Sequence, residues 1–525
     1  MKILISDQIE QACIDILTSE GFSVDFKPNR PTEELKGMIP DYDALIVRSS
    51  TQVTAELIGA GKKLKVIGRA GAGVDNIDVD AATRRGVVVM NTPGGNTVST
   101  AEHTMSLLLS LSRNIPQAND SLRSGKWDRK KFVGTELFGK TIGVIGLGKV
   151  GREVAIRCQA FGMTTIGFDP LLSAEIAARA HIELVSLKAV FERSDFISVH
   201  TPLNDETKGL VGDKEIEICK PGVRIVNCAR GGIIDEAALQ RGLDSGKVAG
   251  AALDVFEQEP PGDHPLLKNP KVVATPHLGA STEEAQEKVA RQIAVQLADA
   301  LKERGITGAV NAETIQLAMR KELRPYIVLS EKLGALQAQL MRGKLRRVGI
   351  ACSGSFLTQA ADLITAAALK GLLSHLLTEP VNLINSLVIA KEMGITIDEE
   401  RESDHASYTH LVTLTYQTDV EERRFAGTVF GNSHVRIVQI DDYHMEIHPE
   451  GHIVLYKNVD KPGMLARVGA ELAKAEINIA GLALGRDNPG QKALTVINVD
   501  SGIPAQTLRK LEQIEGVSEV RTVKL

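Results

Sequence analysis

The chain is predicted to be an α/β protein of two Rossmann-like or flavodoxin-like parallel-sheet domains, one inserted in the other. An α+β domain and a ferredoxin-like sandwich are expected to follow them. Three observations carry this expectation. Across residues 1–284, short apolar runs alternate with helix-length amphipathic segments, which is the pattern of βα units. Within that region TIGVIGLGKVG, residues 141–151, reads as a buried strand running into a glycine turn and then a helix. Residues 452–525 read in order as strand, helix, strand, strand, helix and strand.

In chain order, MKILIS predicts a strand, QIEQACIDILTSEG a helix ended by Gly21, and ALIVRSS and LKVIGRA two further strands. The segment from Gly68 to Asp75 imitates a dinucleotide fingerprint, but Asn76 stands where the third glycine belongs. It is read as a strand-end loop whose N–H groups, with Arg69, could hold an anion. VSTAEHTMSLLLSLSR predicts a helix over 98–113, buried along Met105, Leu108, Leu109 and Ser112, with His103 in a structural role.

The fingerprint itself follows. Gly146 permits the tight turn, Gly148 lets the backbone approach a pyrophosphate, and Gly151 lets helix and strand pack closely. The helix N-terminus favours the negative charge of that pyrophosphate. The second strand, TTIGF, ends on Asp169, which can accept hydrogen bonds from ribose hydroxyls and repels a 2′-phosphate, so the expected cofactor is NAD.

FISVHTPL, RIVNCARGG, AGAALDVF and KVVATPHLG continue the alternation and place Thr201, Arg230, Asp254 and His277 at strand ends, where ligands bind in such sheets. Ser281–Glu284 has capping-box spacing, and Val289, Ile293, Leu297 and Leu301 form the stripe of the helix it opens. GAVNAETI then suits a return to the first sheet. The expected division is 1–97 with 285–315 for substrate, 98–284 for NAD, 316–450 as an intervening α+β domain and 451–525 as the C-terminal sandwich. In the intervening part ALQAQL and TAAALKGLLSHLL read as helical, HLVTLTYQ and VRIVQI as strands. Lys344, Arg346 and Arg347 could form an anion patch there, though a solvated face is the plainer reading.

Composition narrows the function classes. At 43% apolar and 24% charged this is ordinary globular composition, and no apolar run reaches the ~18 residues of a membrane span. Cys13, Cys158, Cys219, Cys228 and Cys352 lack paired spacing, and the N-terminus has no signal-peptide pattern. The expectation is a cytoplasmic protein with reduced thiols, no disulfide framework and no metal site. A net charge of −5 argues against nucleic acid as a partner and requires local cations for any anionic substrate.

The chemistry expected beside a nicotinamide is hydride transfer coupled to removal of a hydroxyl proton. His277 is the candidate general base, because an imidazole titrates near pH ~6.5. A carboxylate partner raises that value and fixes the tautomer, and Glu259 in VFEQEP is the candidate. Arg230 in NCARGG can clamp a substrate carboxylate and polarise the carbonyl.

GLGKVG, VHTPLNDET, NCARGGIIDE, ALDVFEQEP and TPHLGAST together resemble the D-isomer-specific 2-hydroxyacid dehydrogenases. GRAGAGVDNID, NTPGGN and GKWDRKKFVGTEL resemble the branch that oxidises 3-phospho-D-glycerate to 3-phosphohydroxypyruvate, the entry to L-serine synthesis. The last unit resembles an ACT domain, the amino-acid-sensing module of that branch.

The resemblance implies that Arg230, Glu259 and His277 are catalytic. It implies cofactor contacts at Ala72, Gly146, Gly148, Lys149, Val150, Gly151, Asp169, Thr201, Cys228, Ala229, Arg230, Asp254, His277, Gly279 and Ala280. Ala72 departs from relatives that carry a Thr able to bond the cofactor. Substrate contacts are implied at Arg48, Arg69 and Asn96, and an L-serine effector at Asn458, Asp460 and Asn478. The substrate, 3-phosphoglycerate, carries two anionic groups, so Arg48, Arg69 and Arg230 must concentrate charge at one cleft, with Arg129 or Lys130 of a neighbouring subunit as helpers. A homodimer or homotetramer is expected, its ACT-like sheets pairing edge to edge around the effector. The alternatives are a reductase for glyoxylate, hydroxypyruvate or another D-2-hydroxyacid, and a non-catalytic NAD-sensing protein on the same fold.

Overall fold

The computed structural model describes residues 1–404, 407–431, 433–486 and 490–525. Its first sheet holds β1 (Lys2–Ile5), β2 (Ser23–Phe26), β3 (Ala44–Val47), β4 (Val66–Arg69) and β5 (Val88–Met90). All pair parallel, in the order β2-β1-β3-β4-β5, so the strand order reverses beside β1. Helices cover both faces, which is why β3 is written as the unbroken apolar run ALIV.

One of those helices comes from far along the chain. Glu283–Leu301 lays Val289, Ala290, Ile293 and Leu297 onto Ile3, Ile5, Ile46 and Met90. Gly68 on β4 has no room for a side chain there, since a Cβ would stand 2.9 Å from Ile293 Cγ1. The N-cap of this helix is Thr282, one residue beyond the Ser281 of the expected box, and its hydroxyl accepts Ala285 N–H at 3.2 Å. Beyond the helix the chain bridges back to the sheet, Met90 against Ala309.

Between the departure after β5 and that return lies the second sheet: β6 (Thr141–Ile145), β7 (Thr164–Phe168), β8 (Glu183–Leu184), β9 (Phe196–Val199), β10 (Val223–Asn227), β11 (Val248–Leu253) and β12 (Val272–Ala274). It is parallel throughout, in the order β12-β11-β10-β9-β6-β7-β8, with its reversal between β6 and β9. The helix Thr97–Arg113 packs Ala101, Met105 and Leu108 against Ile142, Val144 and Ala252. The two connecting segments touch, Ser99 Oγ lying 2.7 Å from Thr282 Oγ1.

The third sheet is larger than the sequence suggested. It contains β13 (Leu345–Ser353), β14 (Thr396–Glu402), β15 (Leu411–Thr418), β16 (Glu422–Phe430), β17 (His434–Ile440) and β18 (Tyr443–Ile447), in the order β14-β13-β15-β16-β17-β18. Arg346 and Arg347 lie on β13, where Arg347 pairs with Asp398 of β14 at 3.1 Å. Helices Arg324–Leu340 and Ala361–Leu376 cross on this sheet so closely that a Cβ on Gly334 would overlap the Ala368 carbonyl.

The fourth sheet, β19 (His452–Val459), β20 (Ile479–Arg486), β21 (Lys492–Val499) and β22 (Val517–Lys524), is antiparallel in the order β20-β21-β19-β22. Val468, Leu472 and Leu511 from two helices cover one face. Ile453, Leu455, Val496 and Val523 on the other join the core of the third sheet. All five cysteines are buried and unbridged. No helix among the described residues is long and apolar enough to cross a membrane.

Candidate active site

The carboxyl ends of the two parallel sheets face each other, and the sequence-predicted residues fall into a nucleotide cradle and a substrate cavity. In the cradle each fingerprint glycine has a separate steric reason. Gly146 has φ +88° and a Cβ there would lie 2.6 Å from the His200 carbonyl oxygen. A Cβ on Gly151 would overlap the Gly146 carbonyl oxygen. Gly148 differs, because a Cβ there meets nothing within 4 Å. Its smoothness serves no contact inside the protein, which fits close approach of a ligand to the helix Lys149–Ala160. That helix starts with no side-chain cap, so its first N–H groups are free to meet an anion.

Asp169 ends β7 and already has work in the loop: Leu147 N–H donates to Oδ2 (2.8 Å), Leu171 and Leu172 N–H to Oδ1 (2.9 and 3.1 Å). Its carboxylate therefore shapes the glycine turn as well as presenting acceptor capacity to a ribose. Among the described residues Thr201 Oγ1, buried beside this cradle, has no partner, which leaves a donor for a ligand. Lys149 Nζ reaches the Pro93 carbonyl of the first sheet's loop at 3.3 Å. Val150 is half-buried behind it, and Ala72 is held by Asn91 Nδ2, which donates to its carbonyl. These residues fit NAD by room, donors and charge.

The substrate cavity, about 670 Å³, brings together Arg48, Arg69, Asn96, Arg230, Glu259 and His277. His277 Nδ1 lies 2.7 Å from Glu259 Oε2. Burial opposes ionisation of Glu259, but the His277 hydrogen bond and charge outweigh it, and the carboxyl is held below its ordinary value. His277 itself has φ +54°, a left-handed conformation that costs an L-residue about 1–2 kcal/mol. Asp254, 1% exposed, holds the loop in that shape. His277 N–H donates to its carbonyl (2.9 Å), and Leu278 and Gly279 N–H to its carboxylate (2.7 and 2.8 Å). His103 Nε2, 3.1 Å from Asp254 Oδ1 and 3.0 Å from Thr275 Oγ1, braces the same carboxylate from the helix Thr97–Arg113. Asp254 thus reaches His277 through the backbone, beyond the cofactor role implied by resemblance.

Arg230 is aimed by a residue that sequence reasoning missed. Asn227, buried at the end of β10, donates from Nδ2 to the Arg230 carbonyl (2.8 Å) and accepts Ala229 N–H (3.0 Å). Gly231 then packs on the VFEQEP turn, where a Cβ would overlap the Phe256 carbonyl. Cys228, just before, is buried, and burial pushes its thiol up to about 12.

Asp7 was missed likewise, and so was the bridging role of Asn76. Buried Asp7 accepts Arg48, Ser50 and Thr51 N–H (2.6, 3.2 and 3.2 Å) and so folds the loop after β3. Asn76 donates to the carbonyls of Arg48 and Thr51 (2.8 and 2.7 Å) and accepts Arg69 Nε–H (2.9 Å). Burial, with Arg230 nearby, lowers the affinity of Arg69 for its proton. Asn96 stands at the N-cap of Thr97–Arg113 without capping it, which leaves its amide for the cavity. Gly279 packs on Asp254, and Ala280 lines the rim.

The three ACT-like candidates are held separately. Asn458 is buried and accepts Thr495 Oγ1–H (3.0 Å), Asp460 accepts Gly490 N–H (3.1 Å) and Arg486 Nη1–H (3.3 Å), and Asn478 donates to Asp500 (2.7 Å). Arg129 and Lys130 lie on an exposed turn, far from burial in this chain.

Comparison with known proteins matches this geometry to families. Residues 105–279 match the NAD binding domain of the D-isomer specific 2-hydroxyacid dehydrogenases, 322–441 the D-3-phosphoglycerate dehydrogenase intervening domain, and 452–516 an ACT domain. The chain is 44% identical to the D-3-phosphoglycerate dehydrogenase of Archaeoglobus fulgidus and 42% identical to that of Methanocaldococcus jannaschii, in both cases over 100% of each chain. Against the D-3-phosphoglycerate dehydrogenase of Homo sapiens it is 48% identical over 75% of this chain and 74% of that one. Among solved structures, a glyoxylate reductase from Paecilomyes thermophila aligns with TM-score 0.55 and 34% identity, covering 59% of this chain and 98% of its own. A D-lactate dehydrogenase from Aquifex aeolicus, complexed with NAD and lactic acid, aligns with TM-score 0.51 and 26% identity, over 57% and 96%.

Proposed function

Since the chain belongs to the D-3-phosphoglycerate dehydrogenase family of D-isomer specific 2-hydroxyacid dehydrogenases, we propose that it oxidises 3-phospho-D-glycerate to 3-phosphohydroxypyruvate with NAD, the first step of L-serine biosynthesis. The observation that carries the reading is one cavity holding a His277–Glu259 pair and three arginines. Gly146, Gly148, Gly151, Lys149, Asp169 and Thr201 would hold the cofactor, which when bound supplies the hydride acceptor.

The chain's own residues do the rest. An ionised Glu259 can only accept a hydrogen bond, so Nδ1 of His277 carries the proton and Nε2 is left as the base. Nε2 takes the proton of the C2 hydroxyl. Arg230 holds the carboxylate and faces the oxygen that becomes the carbonyl, while Arg48 and Arg69 hold the phosphate. The charges are fixed before the substrate arrives, and such preorganisation is the main source of electrostatic catalysis. Asp254 keeps His277 in its left-handed position throughout.

The four sheets support reading 1–97 with 285–315 as the substrate domain, 98–284 as the NAD domain, 316–450 as the intervening domain and 451–525 as the ACT domain. Trp127 (76%), Val133 (79%) and Phe138 (76%), exposed on one connecting segment, support a homo-oligomer. The ACT match supports L-serine as effector, and five unbridged cysteines support a cytoplasmic site of action. The test is NADH absorbance with phosphoglycerate, glycerate, lactate and glyoxylate, run with and without millimolar L-serine. No NADH formation with phosphoglycerate would overturn the activity, and an unchanged rate would overturn the effector.

A further inference from the structure

Three guanidinium groups meet in the substrate cavity, and their partners differ in charge. Arg230 Nε donates to Asp75 Oδ2 at 3.0 Å, an ion pair that crosses the cleft from the loop after β10 to the loop after β4. Arg69 Nε donates instead to the neutral amide oxygen of Asn76, and Arg48 Nη1 to the backbone carbonyl of Gln8 at 3.2 Å. Among the described residues neither Arg48 nor Arg69 forms an ion pair. The cavity therefore holds two arginines without a direct ion pair, although the charges of Asp75 and Asp7 reach Arg69, and one arginine paired directly with a carboxylate.

The proposed substrate is also lopsided. A phosphate ester carries close to two negative charges at neutral pH, its second pKa being about 6, whereas a carboxylate carries one. 3-Phosphoglycerate can enter the cavity either way round. The hydroxyl that must meet His277 is on the carbon next to the carboxylate. His277 and Arg230 stand on loops of the second sheet, Arg48 on a loop of the first and Arg69 at the carboxyl end of its β4. Only with the carboxylate on Arg230 does the reacting carbon lie on the side of the base.

We propose that Asp75 is a specificity-determining residue that sets which end of the substrate meets Arg230. Its carboxylate repels the phosphate dianion from that corner more strongly than it repels a carboxylate, so the phosphate settles on Arg48 and Arg69. The charge of Asp75 is felt at Arg69 too, but its hydrogen bond goes to Arg230. Asp75 touches no reacting atom and acts through Arg230. This inference rests on the phosphoglycerate reading.

Asp75→Asn removes the charge and keeps an acceptor for Nε. If Asp75 disfavours the reversed pose, the variant admits non-productive binding, which lowers kcat and KM together, while the weaker repulsion it lifts from the carboxylate at Arg230 keeps kcat/KM from falling. The reversed pose is expected to gain up to about fivefold in affinity, the order of one solvent-facing charge acting on its neighbour, and kcat falls by less than that factor. Calorimetry with sn-glycerol 3-phosphate, a phosphate ester without a carboxylate, should show tighter binding to the Asn variant in the presence of NAD, by up to about fivefold. Asp75→Glu should restore the wild-type values in both assays. A fall in kcat/KM with KM unchanged or raised would mean that Asp75 only holds Arg230 in place, and would overturn the proposal. Equal affinity of wild type and Asn variant for glycerol 3-phosphate would overturn it as well. Absence of wild-type turnover would instead remove the phosphoglycerate reading, and the calorimetric comparison, which needs no turnover, still decides the role of Asp75.

Discussion

Replacing Gly148 by Ala is expected to leave the folded protein intact and to cripple its nucleotide site, while Gly151→Ala does the reverse in order of severity. Gly148 has φ −63° and ψ −161°, accessible to any L-residue, and a Cβ there meets no heavy atom within 4 Å. The ligand-free variant should match the wild type within about 1 kcal/mol, because the gain from a stiffer unfolded chain is offset by the poorer fit of Ala at a helix N-cap. The added methyl, however, occupies the surface that a pyrophosphate must approach to reach the helix N-terminus. Loss of two charge-assisted hydrogen bonds, each worth about 1.5–3 kcal/mol, predicts NAD binding weaker by about a hundredfold or more. In Gly151→Ala the Cβ overlaps backbone, the Gly146 carbonyl, so turn and helix must separate. Overpacking of that kind costs about 1–3 kcal/mol, which in a domain of this size lowers Tm by about 2–10 °C. Thermal melts without nucleotide and a titration followed by NADH fluorescence measure both. The reasoning fails if Gly148→Ala binds NAD within threefold of wild type, or if it loses as much stability as Gly151→Ala.

His277→Ala should lower kcat by about 10²–10⁴-fold with NAD affinity retained, the usual scale for a lost general base; an equal loss of NAD affinity would point to a collapsed loop instead. Glu259→Gln removes the carboxylate that fixes the proton on Nδ1 of His277, so kcat should fall with NAD affinity retained, and an unchanged kcat would break the pairing. Arg48→Ala and Arg69→Ala should each raise KM for phosphoglycerate by about tenfold or more, the scale of one charge-assisted contact, and equal losses with unphosphorylated glycerate would show that neither reads the phosphate. Burial opposes ionisation of Asp254, but His103, Thr275 and the Leu278 N–H prevail and hold its carboxyl below the usual range. Its ionised form therefore stabilises the fold above the unfolded value of about 3.9 and ceases to do so as pH falls through the lower folded value. Asp254→Asn should accordingly lower Tm at pH 7 by more than it does at pH 3, and a constant difference across that range would contradict the assignment.

How far the sequence could be read depended on where each strand's faces point. β3 and β6 are covered by helices on both sides, so ALIV and TIGVI are apolar at successive positions and stand out. β14 could not stand out in the same way. TIDEERE is an edge strand with exposed charges on it, and it exists because β13 offers a parallel ladder from Arg347 opposite Thr396 to Ser353 opposite Glu402. The basic run Lys344-Leu345-Arg346-Arg347 hid β13 for a related reason: its arginines face outward, while Leu345 and Val348 carry the inward contacts. A pattern that depends on a partner 50 residues away leaves no local trace.

The active site divides along the same line. Residues that face a ligand keep recognisable company, as His277 does in TPHLGA and Arg230 in NCARGG, because strand ends and glycine turns surround them. Residues that aim those side chains are plain polar ones whose partners lie elsewhere in the chain: Asp7 works 41 positions from Arg48, and Asp75 155 positions from Arg230. Asn76 is the instructive exception. Its place in the imitation fingerprint, where a third glycine would belong, marked the segment as something other than a second dinucleotide loop. A helix packed on a glycine there would have closed the space. The amide instead ties the Arg48 carbonyl to the Arg69 guanidinium, so a position that looked like a defect in a nucleotide motif is the joint between two cations that line the cavity.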